Sequence, residues 1–313
     1  MTSIFTVALM YALWSSVFAI GKWTLTHTPP LFLTASRMIL AGVLLLGFLA
    51  WRNRSALKIS GRQFVSIAIL GLFSIYLTNA LEFWGLQYMT AAKTCFFYSL
   101  SPFFAALFSY LHFGETMNGR KWIGMAIGFV GFIPVLAQQK GAEELVSSLG
   151  IISWPELAVF GAALCSVYGW TLLRLLVKDS SISPWMANGL SMLVGGLLAL
   201  GSSLLIENWN PWPIGTNDLP VFAQGTILMT LVSNILCYNL YGLLLKRFTS
   251  TFLSFMGLLS PLFASLNSWL FLGEPLSPII LGSTAIVSLG LWLVYSAELA
   301  QGYIRNEKKA VSA

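Results

Sequence analysis

Ten long apolar runs, separated by short polar segments, dominate this sequence. They lie at about residues 3–22, 31–51, 64–86, 91–112, 121–138, 155–174, 184–206, 219–243, 249–271 and 277–297. A helix needs about 20 predominantly apolar residues to cross the hydrocarbon layer of a bilayer. Because lipid offers the backbone no hydrogen-bond partners, only helices and closed barrels span it, and these runs are too long for barrel strands. The sequence therefore predicts an all-α integral membrane protein with ten transmembrane helices.

The scarcity of charge excludes a soluble protein. Charged residues make up 9% of the 313-residue chain and hydrophobic residues 57%, whereas soluble domains carry about 25% charged residues. So little charge cannot cover a water-exposed surface of this size. Most of the surface is therefore expected to contact membrane lipid.

Basic residues are distributed unevenly between the predicted loops. With the N-terminus placed in the cytoplasm, 13 of the 17 Lys and Arg residues fall on the cytoplasmic side, and three, Lys22, Lys93 and Lys140, fall outside. Cytoplasmic loops of membrane proteins carry such an excess. The pattern predicts a multi-pass protein of the cell inner membrane with both termini in the cytoplasm. Because topology accounts for the net charge of +6, we expect no nucleic-acid partner.

One sequence motif occurs twice in the chain. The stretch LSPFFAALFSYLHFGE begins at Leu100, and LSPLFASLNSWLFLGE begins at Leu259, so an offset of 159 residues aligns ten identical positions out of sixteen. The offset divides the chain into two five-helix units, 3–138 and 155–297. Because five is an odd number, the second unit enters the membrane upside down. Inverted repeats of this kind are typical of secondary transporters, which bind substrate between the repeats near the membrane midplane.

Two five-helix units, each with Ser-Pro near the middle of its fourth helix and Gly-Glu at its end, resemble the EamA-type drug/metabolite transporter superfamily. The resemblance covers about residues 5–297. It implies ten helices, cytoplasmic termini and a central cavity lined by the first, third, fourth, sixth, eighth and ninth helices, with the fifth and tenth at the periphery. It also implies a metabolite as cargo, and one branch of the superfamily carries S-adenosylmethionine.

An acidic residue lies inside the third apolar run. Glu82 follows Asn79 by three residues, so both side chains lie on one face of a helix. An ionisable group within a membrane span is costly unless it faces a cavity or a partner, which makes Glu82 a candidate substrate-binding residue. The alternative is a structural ion pair with Lys22, Arg37 or Lys93.

The offset of 159 places a polar and aromatic face at the matching position of the eighth run. Asn79 corresponds to Tyr238 and Glu82 to Tyr241, with Asn234 one turn earlier on the same face. Two such faces at equivalent positions are typical of opposite walls of one cavity. Asn234, Tyr238 and Tyr241 are therefore further candidates for substrate binding.

Arg37 lies early in the second apolar run. Its long side chain could extend to the membrane surface or pair with Glu82. It could also hold a substrate carboxylate through two parallel hydrogen bonds, which the planar guanidinium favours. The sequence leaves these alternatives open.

Aromatic residues supply the remaining binding candidates. Trp14 and Phe18 share a face of the first run, Tyr98 lies in the fourth, and Tyr168 lies in the sixth. Such side chains are often simply part of a core or a lipid-facing surface. Where they face a cavity, they stack on flat rings and attract cations through the ring face.

The repeated motif itself contains candidates for moving parts. Pro102 and Pro261 interrupt the fourth and ninth runs, and a proline within a helix removes a backbone hydrogen bond and forces a kink. We expect these two residues to act as hinges. Glu115 and Glu274, which end the two motifs, are candidate gate residues. Their alternative role is to cap the following helix, where the helix dipole favours a negative charge.

These features predict a secondary transporter that moves a small polar or zwitterionic metabolite by alternating access. The resemblance favours S-adenosylmethionine, exchanged for S-adenosylhomocysteine, and the alternative is an exporter of amino acids or drug-like compounds. The sequence contains no phosphate-binding loop, nucleophile elbow or metal-ligand cluster, so neither an enzyme nor a cofactor is expected. A Gly124-x-x-x-Gly128 spacing allows close helix packing, either within the first unit or between two copies in a homodimer.

Overall fold

Helices form almost all of the structure, which is a computed structural model. It describes residues 2–113, 117–137, 148–149, 152–178, 182–210, 212–244, 253 and 256–301. Ten long helical segments run through these ranges. They are α1 Thr2–Leu25, α2 Pro30–Arg52, α3 Gly61–Tyr88, α4 at 91–113, α5 Gly119–Ala137, α6 Trp154–Lys178, α7 Pro184–Ile206, α8 Leu219–Leu244, α9 at 257–272 and α10 Pro278–Ala300. A short 3-10 turn at Arg54–Leu57 and a pair of two-residue strands, β1 Ser148–Leu149 and β2 Ile152–Ser153, complete the described elements.

The prediction of an all-α membrane protein is confirmed. In the described part of the chain, eight helices are long and apolar enough to cross a membrane, namely α1, α2, α3, α4, α6, α7, α8 and α10. Large apolar side chains cover their outer faces; for example, Trp51 is 84% exposed and Leu205 is 87% exposed. A surface of this kind is stable only against lipid.

The helix ends follow local sequence signals. Ser60 and Gln63 form a reciprocal capping box at the start of α3, and the Thr90 side chain accepts a hydrogen bond from the Lys93 backbone at the start of α4. Such side chains satisfy backbone N–H groups that have no partner within the helix. The largest difference from the predicted bounds at a described helix end is in α6, which continues to Lys178 because basic residues are favourable in a last turn.

The start of α2 is capped by a distant residue instead. The Glu207 carboxylate, at the end of α7, accepts hydrogen bonds from the backbone N–H groups of Leu31 (2.7 Å) and Phe32 (2.9 Å). Pro29 and Pro30 cannot supply a side-chain cap, so the chain takes one from another helix. The contact fixes the neighbouring ends of α2 and α7, which pack against each other along their lengths.

Backbone irregularities occur at matching places in the two halves. A π-helical stretch interrupts α3 at Gly71–Leu77 and α8 at Thr230–Cys237. A 3-10 turn lies within α4 at Tyr98–Leu100 and begins α9 at Gly257–Leu259. Both pairs begin 159 residues apart, which is the offset of the sequence repeat. The repeated sequence therefore determines local backbone geometry as well as composition.

Helix packing follows the same correspondence. α2 packs on α7, and α5 packs on α10. α1 packs on α8 and α9, whereas α6 packs on α3 and α4, which are the matching elements in the other half. α5 and α10 form an outer pair, as the family resemblance implies. The remaining helices surround a central space.

Glycines bring α5 and α10 into backbone contact. A Cβ atom added at Gly124 would lie 2.5 Å from the Gly290 carbonyl oxygen, and a Cβ atom at Gly290 would lie 2.7 Å from the Gly128 backbone nitrogen. The Gly124-x-x-x-Gly128 face is thus covered within this chain. It packs against α10 of the second half, and Gly128 also lies against the Phe103 ring of α4, so that part of the contact is within the first half.

We expect the Gly290→Ala substitution to destabilise the fold, because the added methyl group meets backbone atoms that cannot rotate away. Overpacking of this kind costs about 1–3 kcal/mol. Gly282→Ala on the same helix is the matched control, since its Cβ would meet no atom within 4 Å. The apparent Tm in detergent, followed by tryptophan fluorescence, should fall for Gly290→Ala and not for Gly282→Ala. Equal Tm values for the two variants would contradict the packing described.

Candidate functional site

A central cavity lies between the two halves of the helix bundle. It contains about 1040 Å³ of space between atoms, part of it continuous with the exterior. The six helices named by the family resemblance, α1, α3, α4, α6, α8 and α9, all contribute to its wall, and α2 adds Arg37. A space between the helices of a bundle, lined by aromatic side chains and a few polar groups, is typical of a small-molecule site.

Eight of the ten residues predicted to bind substrate line this cavity. Those from the first half are Trp14, Phe18, Arg37, Asn79, Glu82 and Tyr98. Those from the second half are Tyr238 and Tyr241. The offset comparison between α3 and α8 thus identified two faces that meet across one space.

Arg37 is held inside the bundle and does not extend to the surface. Its side chain is 2% exposed, and its Nη2 donates a hydrogen bond to Oδ1 of Asn79. The guanidinium carbon lies 4.6 Å from the centre of the Phe83 ring, where a cation is attracted to the ring face. The buried Nε has no hydrogen-bond partner among the described residues. Arg37 therefore places a positive charge at the cavity wall.

Glu82 faces the same cavity and is held by a tyrosine. The Tyr98 hydroxyl donates a hydrogen bond to Glu82 Oε2 at 2.5 Å, and the Tyr98 ring packs against Phe18 at 5.7 Å between ring centres. The Glu82 side chain is buried, at 9% exposed. A carboxylate in such a place attracts a cationic group that enters the cavity.

The structural ion pairs considered for Glu82 are absent from the described part of the chain. Lys22 lies 3.4 Å from Glu274 instead, and Lys93 lies 2.8 Å from Glu156. Arg37 forms no ion pair with Glu82 within 4.0 Å, because Asn79 and Tyr98 engage the two groups separately. The cavity thus presents a positive and a negative side chain that do not neutralise each other directly.

Four aromatic rings form one wall of the cavity. Trp14 packs against Trp170, Tyr238 and Tyr241 with ring centres 5.6, 5.3 and 5.8 Å apart. Trp170 lies 5.0 Å from Tyr238 and 4.4 Å from Tyr241. Offset and edge-on contacts at these distances are favourable, and the ring faces can stack on a flat ligand.

Sequence reasoning missed Trp170. The sequence analysis favoured the face of α6 that carries Tyr168, whereas the cavity is lined by the face with Ser166 and Trp170. A signal was present, because the offset of 159 pairs Trp170 with Tyr11, which also lines the cavity. The same offset that pairs α3 with α8 also pairs α1 with α6.

Two predicted binding residues are not on the cavity wall. The Tyr168 ring lies 4.9 Å from Phe73 and packs within the bundle. Asn234 is fully buried, and its Nδ2 lies 3.0 Å from the Met38 sulfur. Asn234 lies in the π-helical stretch of α8, which turns it away from the face that carries Tyr238 and Tyr241. An ideal α-helical spacing does not foresee that rotation.

The two prolines predicted as hinges occupy equivalent positions. Pro102 and Pro261 are buried, and each is the second residue of the helical segment that follows a 3-10 turn. The turn accommodates the missing N–H group, since proline is tolerated in the first turn of a helix. Each site is therefore a built-in break in a helix that lines the cavity.

Of the two predicted gate residues, Glu115 lies outside the described residues. Glu274 pairs with Lys22, which also donates a hydrogen bond to the Met89 carbonyl oxygen. This contact joins the end of α1 to the end of α9. Glu274 does not cap α10, because the Ser277 side chain accepts from the backbone there. Among the described residues no group of His, Cys, Asp and Glu could hold a metal ion.

The arrangement suits a ligand that carries both charges and a flat ring. The Arg37 guanidinium is matched to a carboxylate, the Glu82 carboxylate to a cation, and the aromatic wall to a ring or a positively charged group. None of these groups forms a nucleophile or acid–base pair of the kind that catalysis requires.

Comparison with known proteins agrees with this arrangement. The sequence profile of the EamA-like transporter family matches residues 1–137 and again residues 153–296. The S-adenosylmethionine/S-adenosylhomocysteine transporter of Chlamydia muridarum is 40% identical over 308 residues, which cover 98% of this chain and 95% of that protein. The protein of the same name from Chlamydia trachomatis serovar L2 is 40% identical over 303 residues, 96% of this chain and 91% of that protein.

A solved crystal structure shares the fold. It superposes with a TM-score of 0.67 at 17% sequence identity, and the match covers 93% of this chain and 96% of the other. The two profile matches span nearly the whole sequence, and with the two relatives from Chlamydia they show a multi-pass membrane transporter and not an enzyme. The chain belongs to the EamA-like transporter family.

Proposed function

We propose that this protein is a secondary carrier that exchanges S-adenosylmethionine for S-adenosylhomocysteine across the cell inner membrane. The observation that carries the proposal is the pair of buried, opposite charges, Arg37 and Glu82, which face one aromatic-lined cavity without pairing with each other. Buried charges within a membrane span mark a substrate pathway by default. The Chlamydia transporters that are named for these two molecules, at 40% identity over almost the full length, support the choice of substrate.

The chemistry of the substrate matches the cavity group by group. S-adenosylmethionine carries a carboxylate for Arg37, a cationic group for Glu82, and an adenine ring and sulfonium for the aromatic wall. S-adenosylhomocysteine lacks the sulfonium charge but keeps the carboxylate, the ammonium and the adenine. One cavity can therefore hold both molecules, as exchange requires.

The proposal includes the predicted architecture of ten transmembrane helices in two inverted repeats, 3–138 and 155–297. The matching π-helical stretches, the matching 3-10 turns and the paired helix contacts support it, because all of them follow the offset of 159 residues. Inverted repeats let one half rock against the other around a central site. The excess of basic residues in one set of loops supports cytoplasmic termini.

In this mechanism the hinges and gates lie in the repeated motif. Pro102 and Pro261 would bend α4 and α9 as the cavity opens to one side or the other. Glu274 would hold the end of α9 to Lys22 of α1 in one state and release it in the other. Glu115, at the equivalent position of the first half, would have the corresponding role at the opposite membrane face.

The proposal predicts saturable uptake of labelled S-adenosylmethionine into liposomes that contain the purified protein. Uptake should increase several-fold when the liposomes are preloaded with S-adenosylhomocysteine, because each entering molecule then has one to exchange for. Protein-free liposomes with the same preload are the control. Absence of uptake under every loading would contradict the substrate assignment. It would favour the alternative that the same cavity allows, which is export of amino acids or drug-like compounds.

Arg37→Gln should remove the preference for a carboxylate. A charge-assisted hydrogen bond contributes about 1.5–3 kcal/mol, which is roughly tenfold or more in affinity. As an unlabelled competitor of uptake by this variant, S-adenosylmethionine should therefore be at least about tenfold less potent. Decarboxylated S-adenosylmethionine should be as potent a competitor as before. Arg62→Gln, at an exposed position at the start of α3, is the matched control. Equal weakening of both competitors would show that Arg37 has a general structural role.

A further inference from the structure

Tyr98 contacts the cavity carboxylate of Glu82 and also lies at the break in α4. Its hydroxyl group holds Glu82 Oε2 at 2.5 Å, and its backbone begins the 3-10 turn Tyr98–Leu100. Its ring packs against Phe18 of α1. A single residue therefore contacts the carboxylate of α3 and belongs to the turn that precedes Pro102.

The backbone of Tyr98 is directly affected by Pro102. In a regular helix the carbonyl group of residue 98 would accept from the N–H of residue 102, but proline has no N–H group. The carbonyl oxygen accepts from the N–H of Ser101 instead, which gives the 3-10 turn. Such a turn within a helix often marks a functional hinge. The Tyr98 side chain is thus linked through its own backbone to the break in α4.

The second half has the same break without the same connection. Gly257 is the residue that matches Tyr98, and its carbonyl oxygen accepts from the N–H of Ser260, just before Pro261. Glycine has no side chain that could contact a cavity charge. Among the described residues of the two breaks, only Tyr98 in α4 therefore forms a side-chain hydrogen bond to a carboxylate.

We propose that Tyr98 is a positioning residue that keeps the empty carrier from reorienting. This inference rests on the proposed function. As long as the Tyr98 hydroxyl is bonded to Glu82, it holds the α4 hinge in this shape. A cationic group of the substrate that binds Glu82 competes with this hydrogen bond, and the hinge is then free to move.

The consequence is obligatory exchange. A carrier that reorients only with substrate bound must bring one molecule back for each one that it carries across. Glu82 lines the cavity, and Tyr98 occupies only its Oε2, so an entering cation can approach the carboxylate while the Tyr98 hydrogen bond is still in place. Without the tyrosine hydroxyl, nothing would hold the hinge when the cavity is empty, and net uptake without exchange would follow.

The test is Tyr98→Phe, which removes the hydroxyl group and keeps the ring. Uptake of labelled S-adenosylmethionine is measured into liposomes preloaded with S-adenosylhomocysteine and into empty liposomes, and the ratio of the two rates is the readout. A hydrogen bond to a charged group changes an equilibrium by roughly tenfold or more. We expect uptake into empty liposomes to rise by up to about that factor, so that the ratio of preloaded to empty uptake falls towards one.

The matched control is Tyr76→Phe. Tyr76 also forms an intramembrane hydrogen bond, at 2.6 Å to the Ser202 hydroxyl, but it is not on the cavity wall. For Tyr76→Phe the ratio of preloaded to empty uptake should equal that of the unmodified protein. An unchanged ratio in Tyr98→Phe, or an equal fall in both variants, would overturn the positioning role while leaving the proposed function intact. Failure of the unmodified protein to take up substrate would instead overturn the proposed function itself.

A second measurement on the unmodified protein covers the case in which Tyr98→Phe does not fold. Hydrogen–deuterium exchange of residues 98–104 is compared with and without saturating S-adenosylmethionine. The positioning role predicts faster exchange at this hinge when the substrate is bound. Unchanged or slower exchange at saturation would contradict it, whatever the behaviour of the variant.

Discussion

Lipid provides no hydrogen-bond partners, and this constraint shapes the backbone and the charged groups inside the bundle. Backbone groups are satisfied within helices, and helix starts take caps from nearby or distant side chains, as Glu207 does for α2. A charge inside the bundle must be held by neighbours and by a cavity. Arg37 and Glu82 meet this requirement through Asn79 and Tyr98 respectively, which leaves both charges at the wall of one space.

The duplicated sequence explains why the two halves can enclose that space. Equivalent π-helical stretches and 3-10 turns place equivalent bends in α3 and α8 and in α4 and α9. The halves nevertheless differ in the side chains that line the cavity. Glu82 of α3 corresponds to Tyr241 of α8, and Tyr98 corresponds to Gly257. The two halves thus share backbone geometry, whereas the charged cavity residues Arg37 and Glu82 both belong to the first half.

Much of the site could be predicted because a charge in an apolar run is conspicuous. Glu82, Asn79 and Arg37 were found in this way, and the repeat offset added Tyr238 and Tyr241. Prediction failed where local geometry departs from an ideal α-helix or where only the facing helix decides orientation. The π-helical stretch of α8 removes Asn234 from the cavity face, and the partners of α6 select Trp170 over Tyr168.

The sequence by itself determined the membrane environment, the helices, the repeat and the residues costly enough in lipid to require a function. These features follow from composition and from spacing along the chain, which are local properties. Only the tertiary structure decided which charges pair. Lys22 and Lys93, each a candidate partner of Glu82 from the sequence, instead contact Glu274 and Glu156. Ion pairing depends on distances between helices far apart in sequence, and only packing sets those distances.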